Sequence, residues 1–588
     1  MWVCIIPYIG IKPPQGFNMK NIVLLLLFTL SPFLAHAKEY TLVIDRGDVN
    51  ITGKSVNKIT INGGIPGPTL FFTEGDEAVI HVQNNLDEDT SIHWHGLLLP
   101  GEMDGVPGFN GFDGIKPNTT FTYRFKIRQT GTYWYHAHSM GQEQDGHYGS
   151  IVIKPKGRDV VRTDKDYVVL LSDFHEEDSD QIMANLKKSS EYYQYDRRTI
   201  GDFFSDVKKQ GFGKTWDTAI TWGNMRMLRT DLSDVTGYTF LTNGYTPKQN
   251  QTFLYDKGDK VRLRFINASA MSFYDVRIPG TKMTVVAVDG QNVEPVIVDE
   301  FRFGVAETYD VIVEPKNNKA YSIVAESIDR TGFALSTLAP QKGMVGTSPN
   351  KRKRTLLTMK DMGMDHGSYD MSKMGHSKHN MSGDMKSMNH HTIPENKMDM
   401  TKEGWENADT PMGHKSLDYK DLRYLGTQKD TRPPEREVLV RLGGSMERYI
   451  WTINGKKYGD SGPIHLNYGE RVRLKFVNDT MMAHPMHLHG MFFQLENGQP
   501  ADKLPNKHTV IVPPGGTYSI LLTADEAGEW AFHCHLLYHM MAGMMQKVVV
   551  AKLDRPSSTH IKKPMKHKQM TKPAMQAPHK MEGMHHGH

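Results

Sequence analysis

Gly258-Asp-Lys-Val-Arg-Leu-Arg-Phe-Ile-Asn267 and Gly469-Glu-Arg-Val-Arg-Leu-Lys-Phe-Val-Asn478 run parallel almost residue for residue. Each opens on a Gly turn and continues in alternating apolar and basic residues, the period-two pattern of a strand with one buried face. A second echo sits upstream of other alternating strands, in Ile61-Asn62-Gly63, Leu241-Thr242-Asn243-Gly244 and Ile453-Asn454-Gly455. Repetition at this length implies duplicated domains of one fold.

Working outward, residues 39–156 alternate β-branched and polar residues between Gly, Pro and Asn turns, as in Tyr40-Thr-Leu-Val-Ile44 and Ala78-Val-Ile-His-Val82. Similar runs cover 166–340, with Tyr309-Asp-Val-Ile-Val313, and 434–553. The chain reads as all-β, with three Greek-key β-sandwich domains at 38–157, 158–345 and 434–553. Its 588 residues are too many for one hydrophobic core. Hydrophobic content of 38%, charged content of 23% and a net charge of +4 create no strong electrostatic demand for nucleic acid or membrane.

Residues 1–37 read as an export signal. Met19-Lys20-Asn21 precede the apolar run from Ile22 to Leu30, and Ala35-His36-Ala37 offers a signal-peptidase site. Translation is expected to start at Met19 and the mature chain at Lys38. No later run of 18 apolar residues follows, so export to the periplasm without a stable membrane anchor is expected. Removal of Cys4 leaves Cys534 as the sole cysteine, which excludes an intramolecular disulfide.

Against 2 Cys stand 35 Met and 28 His, an excess of thioether and imidazole ligands. Many of them gather in 346–433, an insertion and linker whose residues 359–414 hold eleven Met and six His with little to bury. The tail, 554–588, ends Met581-Glu-Gly-Met-His-His-Gly-His588. Thioethers select Cu(I) and imidazole suits copper, so both segments read as recruiting extra Cu(I) or Cu(II).

Four His-x-His pairs flank these runs: His93 with His95, His136 with His138, His487 with His489, and His533 with His535. Residues two apart on a strand share a face, so each pair can present two imidazoles to one site. Eight such histidines suit a three-copper cluster at the junction of the first and third domains. Cys534 faces the opposite side of its strand from His533 and His535, so a copper on its sulfur has a short covalent path to the cluster. Spacing completes a His2Cys site with a weak axial thioether, the blue-copper arrangement, from His484, Cys534, His539 and Met544. His81, His147, His175 and His508 lack partners at metal spacing and read as structural.

The segments His93-Trp-His-Gly, His136-Ala-His, His484-Pro-Met-His-Leu-His-Gly and His533-Cys-His-Leu-Leu-Tyr-His-Met-Met-Ala-Gly-Met resemble the four copper motifs of multicopper oxidases. Met103-Asp-Gly-Val-Pro-Gly, Asp166-Tyr-Val-Val-Leu-Leu-Ser-Asp and Asp234-Val-Thr-Gly-Tyr-Thr resemble the bacterial copper-resistance protein A branch in particular. The resemblance covers nearly all of 39–553 and implies cupredoxin-like domains and four coppers: one type 1, one type 2 and two type 3. It further implies that His93 and His487 hold the type 2 ion, His95, His136 and His535 one type 3 ion, and His138, His489 and His533 the other. Asp104 matches an acidic position that relays protons, and with Cys534 it forms the candidate catalytic set. Two departures stand out: the signal lacks a twin arginine, and Met540 rather than a carboxylate follows His539.

The expected reaction is four one-electron oxidations coupled to reduction of dioxygen to two waters. Cu(I) is the expected reductant, docking at Asp479, Met481 and Met482 just before His484, in the service of copper resistance and with a periplasmic copper-binding partner. A laccase-like phenol oxidase shares every copper ligand, and a copper-sequestering protein shares the Met/His-rich segments.

Overall fold

A computed structural model describes residues 37–195, 197–225, 228–362 and 404–552. The segment before Ala37, where an export signal is expected, the middle of the Met/His-rich insertion and the tail lie outside the described residues.

The two repeated stretches form the strands Val261–Asn267 and Arg471–Asn478. Each lies between a parallel neighbour (Lys165–Phe174 or Arg436–Ser445) and an antiparallel one (Thr308–Val313 or Thr517–Thr523). Glu77–Asn84 occupies the same place between Ala37–Asn50 and Thr119–Lys126. Gly75-Asp-Glu-Ala-Val-Ile-His-Val-Gln-Asn84 is therefore a third copy. Its Ala78 and Val79 break the apolar-basic alternation that makes the other two recognisable.

The asparagine closing each copy explains why the pattern repeats. Asn84, Asn267 and Asn478 are buried, and each side-chain amide donates to the carbonyls of two approaching loops: Glu88 and Ile115, Ser272 and Phe303, Met482 and Val512. Each Oδ1 accepts the backbone N–H two residues on. Buried loop carbonyls need such a partner, and a short amide supplies donor and acceptor together. The Asn-Gly echoes close turns at positive φ, where the Oδ1 atoms of Asn62, Asn243 and Asn454 accept the backbone N–H groups of Val43, Leu170 and Arg441 on the strand paired with the one each follows.

Six sheets result among the described residues, two from each run. In the middle run Leu263 and Phe265 of one sheet share a buried cluster with Val276, Phe301 and Ile323 of the other. Ile80 and Val82 meet Ile151 and Ile153 in the first run, and Leu474 and Phe476 meet Phe532 and Val548 in the third. Burial of this apolar surface on facing sheets is what holds each sandwich together.

Two features depart from the sequence reading. The helices Ser179–Lys188, Ile200–Gln210 and Phe212–Met225 interrupt the middle run; Asp178 caps the first, and Thr199 with Asp202 forms a capping box on the second. The ends of 359–414, expected to stay out of any core, enter one. Met359 and Met362 pack against the large cluster, and buried Trp405 sets its ring edge-on to Phe273 and beneath Arg302. One indole and two thioethers carry enough apolar area to dock a segment whose average composition is polar.

Candidate copper centre

In the third run, strand His484–Leu488 pairs with Gly528–Cys534, placing His487 opposite His533 and Met486 opposite Cys534. In the first, His93–His95 pairs with Gly131–His136, placing His93 opposite His136. These two strand pairs bring all eight paired histidines into one buried cluster, with ligand nitrogens falling into three sets: His93, His95 and His487; His95, His136 and His535; His138, His489 and His533. The pairs do not each serve one site. His136 and His533 are at or near strand ends and the chain bends after them, so His138 and His535 turn to different partners.

The second constellation is His484, Cys534 and His539. Cys534 Sγ lies 3.5 Å from His484 Nδ1 and 3.8 Å from His539 Nδ1, and the two nitrogens are 3.2 Å apart. Met544 is buried in the same core, and its carbonyl accepts the Cys534 N–H at 3.0 Å. Trp451 stacks on His539 with ring centroids 3.9 Å apart.

The second nitrogen of most of these rings is already engaged, which fixes the tautomer and aims the other lone pair inward. His93 Nδ1 donates to the Asp104 carbonyl at 2.9 Å, His487 Nδ1 to the His508 carbonyl at 2.7 Å, and His533 Nδ1 to the Cys534 carbonyl at 3.0 Å. His489 Nδ1 lies 2.8 Å from Asp104 Oδ2, and His539 Nε2 lies 2.8 Å from Asp234 Oδ2. His484 Nε2 is 2.7 Å from Thr480 Oγ1. Burial, then the neighbouring imidazoles, push His95, His136, His138, His484, His487, His489 and His535 well below the usual histidine range. His533 is held at about 4. Neutral imidazoles are the metal-binding form. Burial also pushes the Cys534 thiol up, so its thiolate needs a cation beside it.

The fit to copper follows from atoms the protein leaves unpaired. The Nε2 atoms of His93, His136, His487 and His535 and the Nδ1 of His95 are buried without a hydrogen-bond partner, a costly state unless a metal takes the lone pairs. A thiolate with two imidazoles and a nearby thioether suits a blue copper, and the all-imidazole cluster suits further copper ions. Bound there, copper would supply one-electron redox chemistry.

Asp104 is buried with its carboxylate between two rings, Oδ1 at 3.3 Å from His93 Nδ1 and Oδ2 at 2.8 Å from His489 Nδ1. It orients one ring from the first sandwich and one from the third. Gly105 makes this possible: its φ is +78°, and a Cβ would collide with the Ile92 carbonyl.

The structure does not gather the expected docking trio at the surface. Met481 and Met482 are 4% and 3% exposed and pack into the core, while Asp479 faces solvent in a two-pronged pairing with Arg441 at 2.7 and 2.9 Å. Asn478 and Thr480 hold this turn from inside, and apolar thioethers follow the backbone inward. Three partners of the rings escaped the sequence reading. Asp234 belongs to the middle run, 305 positions from His539. Glu143, buried 2.7 Å from His136 Nδ1, and Thr480 carry no ligand spacing that would mark them. His508 stays a structural residue, its ring 4.7 Å from that of His95.

Known proteins bear on this geometry. Three family models described as multicopper oxidase match residues 43–158, 165–342 and 431–554. Copper resistance protein A of Escherichia coli is 45% identical over 561 residues, covering 87% of this chain and 92% of that protein. Multicopper oxidase MmcO of Mycobacterium tuberculosis is 29% identical, covering 86% of each. Among solved structures, Fet3p, a multicopper oxidase that functions in iron import, superposes with a TM-score of 0.64 at 20% identity, covering 88% of this chain and 90% of that one. The laccase from Botrytis aclada gives 0.61 at 22%, covering 91% and 90%. The chain therefore belongs to the multicopper oxidase family: three cupredoxin-like domains carrying type 1, type 2 and type 3 coppers, in a copper-dependent oxidoreductase of the copper-resistance kind.

Proposed function

We propose that the enzyme oxidises Cu(I) to Cu(II) in the periplasm, with dioxygen as the electron acceptor. The observation that carries this reading is Asp234. Its Oδ2 accepts from His539 Nε2 at 2.8 Å and from the Tyr449 hydroxyl at 2.6 Å, while its Oδ1 is buried without a partner. A carboxylate in contact with a type 1 ligand attracts a cationic reductant and favours the more highly charged product ion. Asp234 is itself fully buried, so it acts on the reductant through its charge and through His539 rather than by contact, with the Met-rich segments supplying soft ligands that concentrate Cu(I).

From this edge the protein's own path is short. His539 lies beside Cys534, and Cys534 is bonded through the backbone to His533 and His535, whose rings belong to the cluster. Residues remote from the cluster keep water from the path: Trp451, Tyr449 and Tyr538 are fully or nearly fully buried around His539.

Phenol oxidation has one observation in its favour. A pocket of about 310 Å³ between the helices Ile200–Gln210 and Phe212–Met225 is lined by Phe203, Ala219, Trp222 and Leu228 and reaches Thr230, four residues before Asp234. Oxygen uptake measured with Cu(I) and with a simple phenol separates the two. Fast uptake with Cu(I) and slow uptake with phenol is expected; no uptake with Cu(I) by protein carrying its full blue absorption would exclude the cuprous reading. Among the described residues no helix is long and apolar enough to cross a membrane.

A further inference from the structure

Lys507, Asp289 and Glu307 have no solvent exposure. Lys507 Nζ stands 3.0 Å from Asp289 Oδ2 and 2.9 Å from Glu307 Oε1. Burying three ionisable groups costs several kcal/mol per ion before their mutual attraction is counted, and an apolar trio of the same volume is often as stable. The trio also has two open ends. Outward, the Tyr419 hydroxyl is 2.5 Å from Glu307 Oε1, and Tyr419 lines a cleft of about 430 Å³ with Lys360, Glu406 and Tyr518. Inward, Asp289 Oδ2 accepts the backbone N–H groups of His508 and Thr509 at 3.2 Å and lies 3.8 Å from His508 Nδ1. That nitrogen is 3.0 Å from Thr509 Oγ1, which in turn is 3.2 Å from His487 Nδ1 and 3.4 Å from His95 Nε2.

We propose that Tyr419, Glu307, Lys507 and Asp289 form a proton route from this cleft to the Thr509 edge of the histidine cluster, separate from Asp104. Reduction of one dioxygen to two waters consumes four protons and four electrons. The electrons come from the reductant through Cys534; the route delivers protons. For each one, Lys507 gives a proton to the Asp289 carboxylate and takes one from the Glu307 carboxyl in the same event, so no bare amine forms. The new Asp289 O–H bond then breaks as the proton passes by the Thr509 hydroxyl to the dioxygen under reduction, where an O–H bond of product water forms and Asp289 returns to carboxylate. The Tyr419 O–H proton moves to Glu307, and a hydronium in the cleft restores the phenol. Charge and atoms balance, and the chain returns to its starting state.

Geometry is joined by acid–base character. Burial raises Glu307, Lys507 opposes this, and the Asp289 charge adds to it, leaving the carboxyl above its ordinary range. Burial raises the Tyr419 phenol, with Glu307 and Tyr309 contributing. The titratable groups facing Glu307 are thus Lys507, Asp289, Tyr309 and Tyr419, with Tyr518 farther off. Structural pinning of the middle sandwich to the third is the competing explanation, and it predicts no dependence on transferable protons.

Two variants keep the shapes and remove the protons: Tyr419→Phe and Glu307→Gln. In copper-depleted full-length protein, infrared titration should reveal a buried carboxyl band that Glu307→Gln abolishes and Tyr419→Phe shifts. In the copper-loaded enzyme at saturating reductant, both variants should slow oxygen reduction on the order of 10²-fold, the low end for a positioned acid–base group. Reduction of the type 1 absorption and copper content should stay normal, and Glu307→Asp should restore part of the rate with a displaced pH profile. A carboxyl band indifferent to Glu307→Gln overturns the proposal. So do normal rates and pH profiles in the variants with full copper. Should Glu307→Gln fail to fold, Tyr419→Phe, whose ring packing is intact, decides alone.

Discussion

The middle sandwich and its two neighbours share one frame and differ in what they place on it. Nine and eleven residues beyond the buried asparagine stand His93 and His95 in the first, His487 and His489 in the third, and Val276 and Ile278 in the middle. Across the ladder His93 faces His136 and His487 faces His533, while Val276 faces Ala325. The position of Cys534 is taken by Glu326 in the middle run, where it pairs with Arg277 at 2.8 Å. The frame itself is therefore indifferent to metal, and a handful of side chains on one sheet decide which copies bind it. The middle copy nevertheless serves the centre from outside, through Asp234 on His539 and Asp289 behind His508 and Thr509.

The strongest break of this comparison is to make the third copy as inert as the second. Cys534→Ser should abolish the blue absorption and oxygen uptake with every reductant while leaving the histidine cluster able to bind copper. If cells carrying it keep full copper protection, sequestration rather than oxidation is the protective act.

Next in size is an ion pair that the middle copy uses in place of metal. Asp275 is buried against Arg302 and Arg330 at 2.9 and 2.7 Å. Asp275→Asn strands two guanidinium groups and should cost about 3 to 5 kcal/mol in denaturant unfolding. Burial alone would raise the Asp275 carboxyl, but the two arginines overcome it and hold it at about 2. A depressed acid stabilises the fold above its unfolded value near 3.8, and that stabilisation drains away as pH falls through about 2. The wild-type advantage over Asp275→Asn should shrink across this window.

Asp234→Asn tests the service rendered across the domain boundary. Removing a carboxylate that orients a ligand typically costs about 10- to 100-fold, here expected in Cu(I) turnover with the type 1 copper retained. An equal loss with phenol and with Cu(I) would assign Asp234 to ligand orientation and not to attraction of the cationic reductant. The smallest effect is expected from Met544→Leu, which removes the thioether that would complete the type 1 set and should raise the type 1 potential in a redox titration without loss of copper.

Much of the site was legible before any coordinates because ligand chemistry is local: imidazoles two apart on a strand, a cysteine between two of them, and a methionine ten residues on. The third repeat was not, since Ala78 and Val79 break the apolar-basic rhythm while the hydrogen bonds that define it persist in Asn84. The docking trio failed for a similar reason. Neighbours in sequence were read as neighbours at a surface, whereas Asn478 anchors the turn so that Asp479 faces water and the methionines do not.

Sequence by itself determined the repeated all-β frame, the four copper motifs and the Met/His-rich segments, because strand periodicity and ligand spacing are properties of short stretches. Tertiary structure alone decided that Asp104 bridges rings of two sandwiches, and that Asp234, Glu143 and the trio of Lys507, Asp289 and Glu307 stand behind the ligands. Glu143 stands only seven residues from His136, but Asp234 and His539, like Asp104 and His489, lie hundreds of residues apart, and there only the packing of one sandwich on another brings a carboxylate to within 3 Å of the ring it serves.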